Sequence, residues 1–279
     1  KTDEIKRERP TPTEEARWGL AVIEDSLWDA IPKITSRLDN VIKKHTGKSL
    51  PINFSPITFG SWMGGDRDGN PYVTKETTEE VVLLSRWSAA NLYEKELTKL
   101  IQDLSMHECS KTISSNQGTD GRDGPWEPYR VFLRPIRDKM KSTQTAIEQY
   151  LNNHSSLNQS LIVQSIDELI EPLTDVYDSL CSVKCEVIAN GLTLNLLRRA
   201  HAFGLSLAKL DIRQSSDRHE NLLAAITSHI GLGNYKEWTE DQKIDFLSKE
   251  FKSKRPLIPH NIKLNKDDLE VWQTFQMIT

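Results

Sequence analysis

No surplus of positive charge exists in this sequence: 36 Lys and Arg stand against 40 Asp and Glu, a net of −4. A general nucleic-acid binder needs that surplus to neutralise phosphates, so nucleic acid is not an expected partner. No run of eighteen apolar residues occurs, so no helix is expected to span a membrane. Lys1 to Arg9 is charged with no apolar stretch behind it, and does not read as a secretory leader. Cysteine is scarce and odd in number, with only Cys109, Cys181 and Cys185. That count favours reduced thiols in an intracellular protein over a disulfide framework. Cys181 and Cys185 lie four apart, but no second Cys or His pair stands nearby at ligand spacing, so no metal is assigned to this chain.

What is abundant is helix signal. The 279 residues are 37% hydrophobic and 27% charged, enough for one large domain or two ordinary ones. In "TPTEEARWGLAVIEDSLWDAIPKITSRLDNVIK", Thr11 reads as an N-cap, Pro12 as the first helical residue and Glu14 as part of a capping box. Leu20, Ile23, Leu27, Ile31, Ile34, Leu38 and Val41 follow helical spacing, Pro32 predicts a kink, and Gly47 a stop. A second long helix is expected from about Thr77 to Met106, with Thr77 and Glu80 as its capping box. Residues 109–125 have turn-former composition and predict a flexible surface loop. Further helices are expected near 127–151, 165–190, 192–203, 216–230 and 240–252, with Thr239 to Gln242 and Ser165 to Glu168 marking two starts.

Two stretches read as strands: Ile52 to Trp62 and Leu205 to Gln214, each followed by a loop and a helix. On the second, alternation puts Lys209, Asp211 and Arg213 on one face. The last stretch, "NKDDLEVWQTFQMIT", begins an amphipathic helix capped by Asn265 and stops without a terminator, and no initiating methionine opens the chain. Two strands make no sheet that many helices would enclose, so a piece of a larger protein is expected.

The first strand leads into "GSWMGGDRDGNPYVT", Gly60 to Thr74. As a calcium loop starting at Asp66 it fails, because Pro71 stands where glycine is required and Thr77 where a bidentate Glu is. As a phosphate loop it lacks Lys-Ser/Thr after its glycines; "TGKS" at Thr46 to Ser49 has no partner glycine, since Ile42 occupies that place. Two readings remain. One is a strand-to-helix connection whose Asp and Arg residues pair among themselves. The other is a ligand site, because Trp62 and Met63 beside consecutive glycines set an apolar wall against exposed backbone and charge.

"SWMGGDRDGNP" followed some 150 residues later by "LDIRQ" and "RH" resembles phosphoenolpyruvate carboxylase, as do "TPTEEARWGL", "LLSRW", "EPYR", "IANG", "FGLSL" and "SKRPL", in that family's order. The resemblance runs over essentially the whole chain and about a third of the family's length. It implies one internal segment, residues 1–279, of a single helix-rich (β/α)8 barrel domain: mainly α-helical with a few strands, an incomplete barrel on its own. It implies carboxylation of phosphoenolpyruvate by bicarbonate to oxaloacetate and phosphate, a reaction feeding the tricarboxylic acid cycle, with Mg2+ or Mn2+ in the full-length enzyme. A cytoplasmic, allosteric homotetramer is implied too.

Carried over residue by residue, Arg213 of the "DIRQ" motif is taken to hold the substrate phosphate, a task suited to a guanidinium fork. Asp211, on the same strand face, would orient that fork, with Gln214 beside it. Trp62 and Met63 would wall the substrate's methylene and keep water from the enolate, and Gly64 and Gly65 would let backbone approach closely. Asp66, Arg67, Asp68 and Asn70 are expected to lock the loop rather than touch substrate. Arg255 resembles a subunit-contact position, with Glu250 as its partner. Ser215 departs from the family, which is usually acidic there. The family's "TAHPT" histidine motif and "HGRGGS" loop are absent, as are its acidic metal ligands, so no catalytic residue is assigned here and the 279 residues alone are expected to be inactive. A non-enzymatic helical scaffold, or another barrel enzyme acting on a phosphorylated carboxylic acid, are the competing readings.

Overall fold

The computed structural model describes residues 10–115, 127–153, 156–254 and 256–278. The chain divides into two compact units, one of residues 13–61 and 80–210, the other of residues 1–12, 62–79 and 211–279.

The first unit is helical around one apolar core. It holds α1 (Pro12–Val22), a π turn (Ile23–Leu27), α2 (Trp28–Thr46), β1 (Gly60–Ser61), α3 (Lys75–Asp103, counted here from residue 80), α4 (Lys111–Ser115) and α5 (Pro128–Asn153). After these come α6 (Asp167–Ser182), α7 (Glu186–Ile188), a second π turn (Ala189–Thr193), α8 (Leu194–Phe203) and β2 (Lys209–Leu210). The buried stripes have helical spacing: Leu97, Leu100 and Leu104 from the α3 side, Leu133, Met140 and Ile147 on α5, and Leu169, Leu173, Val176 and Leu180 on α6. An aromatic cluster joins them. Trp28 meets Tyr93 edge-on and Phe203 at a tilt, both at 5.1 Å between centroids, and Phe203 stacks on Phe59 at the same distance. The buried Tyr93 hydroxyl donates to the Gly204 carbonyl at 2.8 Å, and burial pushes its pKa up.

Pro32 sits inside α2, and the departure from α geometry lies just ahead of it, in the π turn. Proline has no N–H, so the Trp28 carbonyl four residues back loses its helical donor. Arg199 supplies one: its Nε donates to Trp28 O at 3.0 Å, while Nη1 reaches Glu96 at 2.9 Å and Nη2 reaches Asp29 at 2.8 Å. Gly47 ends α2 with φ 73°, its N–H on the Lys43 carbonyl, as its place in the sequence predicts.

The two expected strands do pair, in parallel, with Gly60 opposite Lys209 and Ser61 opposite Leu210, but each is two residues long. The first is cut short by a turn in which Phe54 N–H bonds to Pro51 O, and by Pro56, which cannot donate to a ladder. The 109–125 loop is also corrected in part. Lys111–Ser115 is α4, with Ile113 fully buried, and the Ser110 N–H donates to Ser179 Oγ at 2.9 Å; residues 116–126 lie outside the described residues.

The second unit contains α9 (Ser216–His229), α10 (Glu240–Lys252) and α11 (Lys266–Ile278). Leu222 and Ile226 of α9 pack with Val271 of α11. Tyr235, Trp238 and Phe246 form a ring cluster, and Lys243 lies 5.4 Å over Tyr235 while bridging Glu220 and Glu240. The capping box read at Thr239 and Gln242 is present. Asn265 caps α11, accepting the Asp268 N–H at 2.8 Å and donating its amide to the buried Asp268 carboxyl, whose pKa burial raises.

Candidate functional site

The candidate site lies in the second unit, where the stretch after β1 meets the stretch after β2. Trp62 follows β1 directly and Asp211 follows β2, so both leave the C-terminal ends of parallel strands, where ligands of parallel sheets bind. Two backbone bonds clip the motifs together: Arg213 N–H to Gly65 O at 2.8 Å, and Arg67 N–H to Arg213 O at 3.1 Å. They make an isolated parallel bridge between Asp66 and Arg213.

The glycine loop turns tightly at its start. Both Gly65 and Asp66 donate their N–H to Trp62 O, and Gly64 takes φ 83°, a conformation that disfavours any Cβ. Gly64 and Gly65 are buried. Trp62 is 58% exposed, an indole open to a ligand, and Met63 is half-buried beside it.

Arg67 locks the loop from beneath. Its side chain is 3% exposed and its donors are met by Glu270 Oε1 at 3.2 Å, Thr78 Oγ1 at 2.7 Å, and the carbonyls of Gly65 and Thr74. The Thr78 hydroxyl in turn donates a hydrogen bond to Gly64 O at 2.7 Å. Asn70 accepts the Tyr72 N–H on its side chain and the Val73 N–H on its carbonyl, a local turn. Asp66 and Asp68 form an acidic pair. A hydrogen bond from Asp68 raises the pKa of Asp66, desolvation and the Asp68 charge add to it, and Arg213 opposes it. A Cβ on Gly69 would stand 3.1 Å from Asp66 Oδ2, so glycine there leaves room for that carboxyl.

Arg213 is the opposite of Arg67. Its side chain is 50% exposed, and Nε and Nη2 both donate to one oxygen of Asp211, at 3.2 and 2.8 Å. Gln214 folds back, its Oε1 accepting the Ser215 N–H at 2.9 Å. Ser215 is the N-cap residue of α9 by position but makes no side-chain cap bond.

The structure thus brings together Trp62, Met63, Gly64, Gly65, Asp66, Arg67, Asp68, Asn70, Asp211, Arg213 and Gln214 within one unit. Glu250 lies in the last turn of α10, half-buried, with its carbonyl accepting the Ser253 N–H; Arg255, its expected partner, lies outside the described residues. Three residues escaped the sequence reading. Thr74, not Thr77, precedes α3 and accepts the Thr77 N–H on its hydroxyl, while Glu80 instead accepts from Thr13 and pairs with Arg17. Thr78 and Glu270 complete the Arg67 lock, and Glu270 is 203 positions away in sequence, where no local signal reaches. Among the described residues, no group of three or more His, Cys, Asp or Glu side chains converges as a metal requires; Asp66 and Asp68 are only a pair. No helix among those residues is long and apolar enough to cross a membrane.

Sequence comparison relates the chain to known proteins. The family profile described as phosphoenolpyruvate carboxylase matches residues 1–279. The phosphoenolpyruvate carboxylase of Vibrio vulnificus strain CMCP6 is 43% identical over 277 residues, covering 99% of this chain and 31% of the relative. Those of Psychromonas ingrahamii and Shewanella loihica are each 44% identical, over 277 and 278 residues, with the same coverage. The chain therefore spans about 31% of the length of the curated relatives it matches.

Proposed function

This chain belongs to the phosphoenolpyruvate carboxylase family, and from that premise we propose that it serves the carboxylation of phosphoenolpyruvate by bicarbonate, giving oxaloacetate and phosphate. The observation that carries the reading is the double backbone clip between the glycine loop and Arg213, at the C-terminal ends of two parallel strands. That clip sets an exposed guanidinium in the same unit as an exposed indole. The substrate has a part to meet each, a phosphate for the guanidinium and a carbon–carbon double bond for the indole.

In this proposal Arg213 takes the phosphate through N–H donors that Asp211 does not occupy, with charge-assisted bonds of roughly 1.5–3 kcal/mol each. Asp211 holds the fork. Trp62 and Met63 shield the enolate carbon from water, which would protonate it to pyruvate. Gly64 and Gly65 keep the backbone close, and Arg67, Thr78 and Glu270 hold the loop rigid. The divalent metal of the family's chemistry polarises substrate oxygens when bound, and no cluster of described residues fits it; its ligands, the catalytic acid–base groups and the closed (β/α)8 barrel belong to the remainder of a full-length enzyme. The cytoplasmic homotetramer and the Glu250–Arg255 subunit contact are part of the same proposal.

The test is incorporation of labelled bicarbonate into acid-stable malate, with added malate dehydrogenase and NADH reducing oxaloacetate before it can lose its new β-carboxylate. A full-length enzyme containing this sequence should incorporate label, and Arg213→Ala should raise the KM for phosphoenolpyruvate at least about tenfold, the loss of one charge-assisted bond. The 279 residues alone should incorporate none. Phosphoenolpyruvate turnover sensitive to Arg213→Ala without bicarbonate uptake would instead indicate another enzyme of phosphorylated acids. No effect of phosphoenolpyruvate at all would favour a scaffold.

A further inference from the structure

A second polar cleft, of about 480 Å3, lies in the first unit, where α2, the 49–52 segment, α6, the second π turn and α8 converge. Its volume is that of a metabolite-sized pocket. Arg213 and the glycine loop belong to the other unit, and none of their residues lines the cleft.

Arg198 is the centre of it. The residue is 6% exposed, yet lines the cleft. Its guanidinium has five donors. Nη1 donates to Ser36 Oγ, and Nη2 reaches Asp39 Oδ2 only at 3.5 Å. The other Asp39 oxygen is held by the Leu50 N–H at 2.6 Å, which fixes the 49–52 segment and draws the carboxylate toward the backbone. A buried cation is thus compensated by one long contact to a shared carboxylate. Burial lowers the Arg198 pKa, with Asp39 opposing, which is the signature of a charge short of solvation. Around it the polar groups are neutral or basic. Tyr177 donates its hydroxyl to Asn190 Oδ1 at 3.0 Å, which leaves the Asn190 amide N–H groups as donors, and Lys43 stands exposed in the last turn of α2. Two cations against one carboxylate leave the lining one positive charge in excess.

We propose that this cleft binds a small hydroxylated oxyanion, carboxylate or phosphate, whose charged end pairs with Arg198 and Lys43 and whose hydroxyls are read by Ser36 and by the Asn190 amide. A planar or tetrahedral oxyanion matches the donors that Ser36 and Asp39 leave open, and it supplies the negative charge the buried guanidinium lacks.

The test is calorimetric titration of the 279-residue chain with glycerate and with glycerol 3-phosphate at constant ionic strength, glycerol being the uncharged control. Saturable binding of either anion but not of glycerol is expected, and the stronger of the two identifies the oxyanion. Arg198→Lys, which keeps the charge and loses the fork, should weaken it at least about tenfold, the loss of one charge-assisted hydrogen bond. If circular dichroism shows that Arg198→Lys does not fold, the exposed Lys43→Gln decides, with an expected loss of about threefold or more, the low end of a partly exposed charge contact. Absence of saturable binding overturns the proposal. So does binding that folded Arg198→Lys leaves unchanged, or that Lys43→Gln leaves unchanged when Arg198→Lys cannot be read. Because neither anion is assayed by turnover and Arg213 is untouched, failure here leaves the carboxylation reading standing, and the reverse holds too.

Discussion

Thr78 Oγ1 accepts a hydrogen bond from Arg67 Nη2 at 2.7 Å and donates its own proton to Gly64 O at 2.7 Å. One buried hydroxyl on α3 therefore joins the charged and the glycine-rich halves of the loop. Removing it orphans a guanidinium donor and a backbone carbonyl together. Thr78→Val should lower stability by about 1–3 kcal/mol, seen as a lower urea midpoint at unchanged slope, and Thr78→Ser should restore most of it. An unchanged midpoint in Thr78→Val would show that the loop is held without this relay.

Arg199 is expected to matter more. It is 7% exposed and satisfies the Trp28 carbonyl that Pro32 leaves without a donor, along with Glu96, whose side chain is 11% exposed. Arg199→Met should cost about 2–4 kcal/mol, by leaving the Trp28 carbonyl and Glu96 Oε2 without their donor, while Lys99 still pairs with Glu96 Oε1 at 2.8 Å. Pro32→Ala restores an N–H facing Trp28 O, so in the Arg199→Met background it should recover part of the loss. A double-mutant cycle showing no coupling between positions 32 and 199 would refute the link.

Glu168 carries an acid-sensitive share of stability. The Lys139 ammonium, hydrogen-bonded to it, and the N–H groups of Gln164 and Ser165, at 2.7 and 3.1 Å, hold its pKa below the ordinary value, against the opposing pull of burial. A depressed folded pKa means that the contribution is complete above the unfolded value, about 4.3, and is lost as pH falls through the lower folded one. Glu168→Gln should therefore be less stable than the parent at pH 7, with the gap closing toward pH 3. A gap that does not change with pH would contradict the assignment.

Gly204 takes φ 63° and ψ −146° after α8, a region open essentially to glycine alone. Its carbonyl accepts the Tyr93 hydroxyl and its N–H donates to Ala200 O. Gly204→Ala is expected to destabilise the chain by about 1–3 kcal/mol through backbone strain alone, since open space surrounds the position of the missing Cβ. Thermal unfolding reads the effect; an unchanged midpoint would mean that the turn relaxes freely.

Legibility followed distance along the chain. The box at Thr239 and Gln242, the Asn265 cap and the Gly47 stop are each made within four residues, and each is present where the residues predict it. Thr77 and Glu80 have the same spacing, but Glu80 is taken by Thr13 and Arg17 and the helix starts at Lys75 instead. The same spacing rule succeeded or failed according to what else reached the carboxylate. At the site, Asp211 and Arg213 do bond, but β2 ends at Leu210, so the strand alternation that paired them in the sequence does not extend to them. The two π turns carry no motif that periodicity detects.

By itself, then, the sequence determined where most of the helices run, the caps of α10 and α11 and the stop of α2, and which two motifs stand at the ends of strands. Those depend on backbone hydrogen bonds and side-chain caps that close over three or four residues. The helix expected over 165–190 is broken between Ser182 and Glu186, where Lys184 takes φ 62°. Only the tertiary structure decided that the strands shrink to two residues each, that Arg67 is a buried lock while Arg213 stays exposed, and that Arg199 repairs the gap left by Pro32. Burial and charge compensation are set by groups as far as 203 positions apart, as Arg67 and Glu270 are, and no local propensity encodes which distant carboxylate a guanidinium will meet.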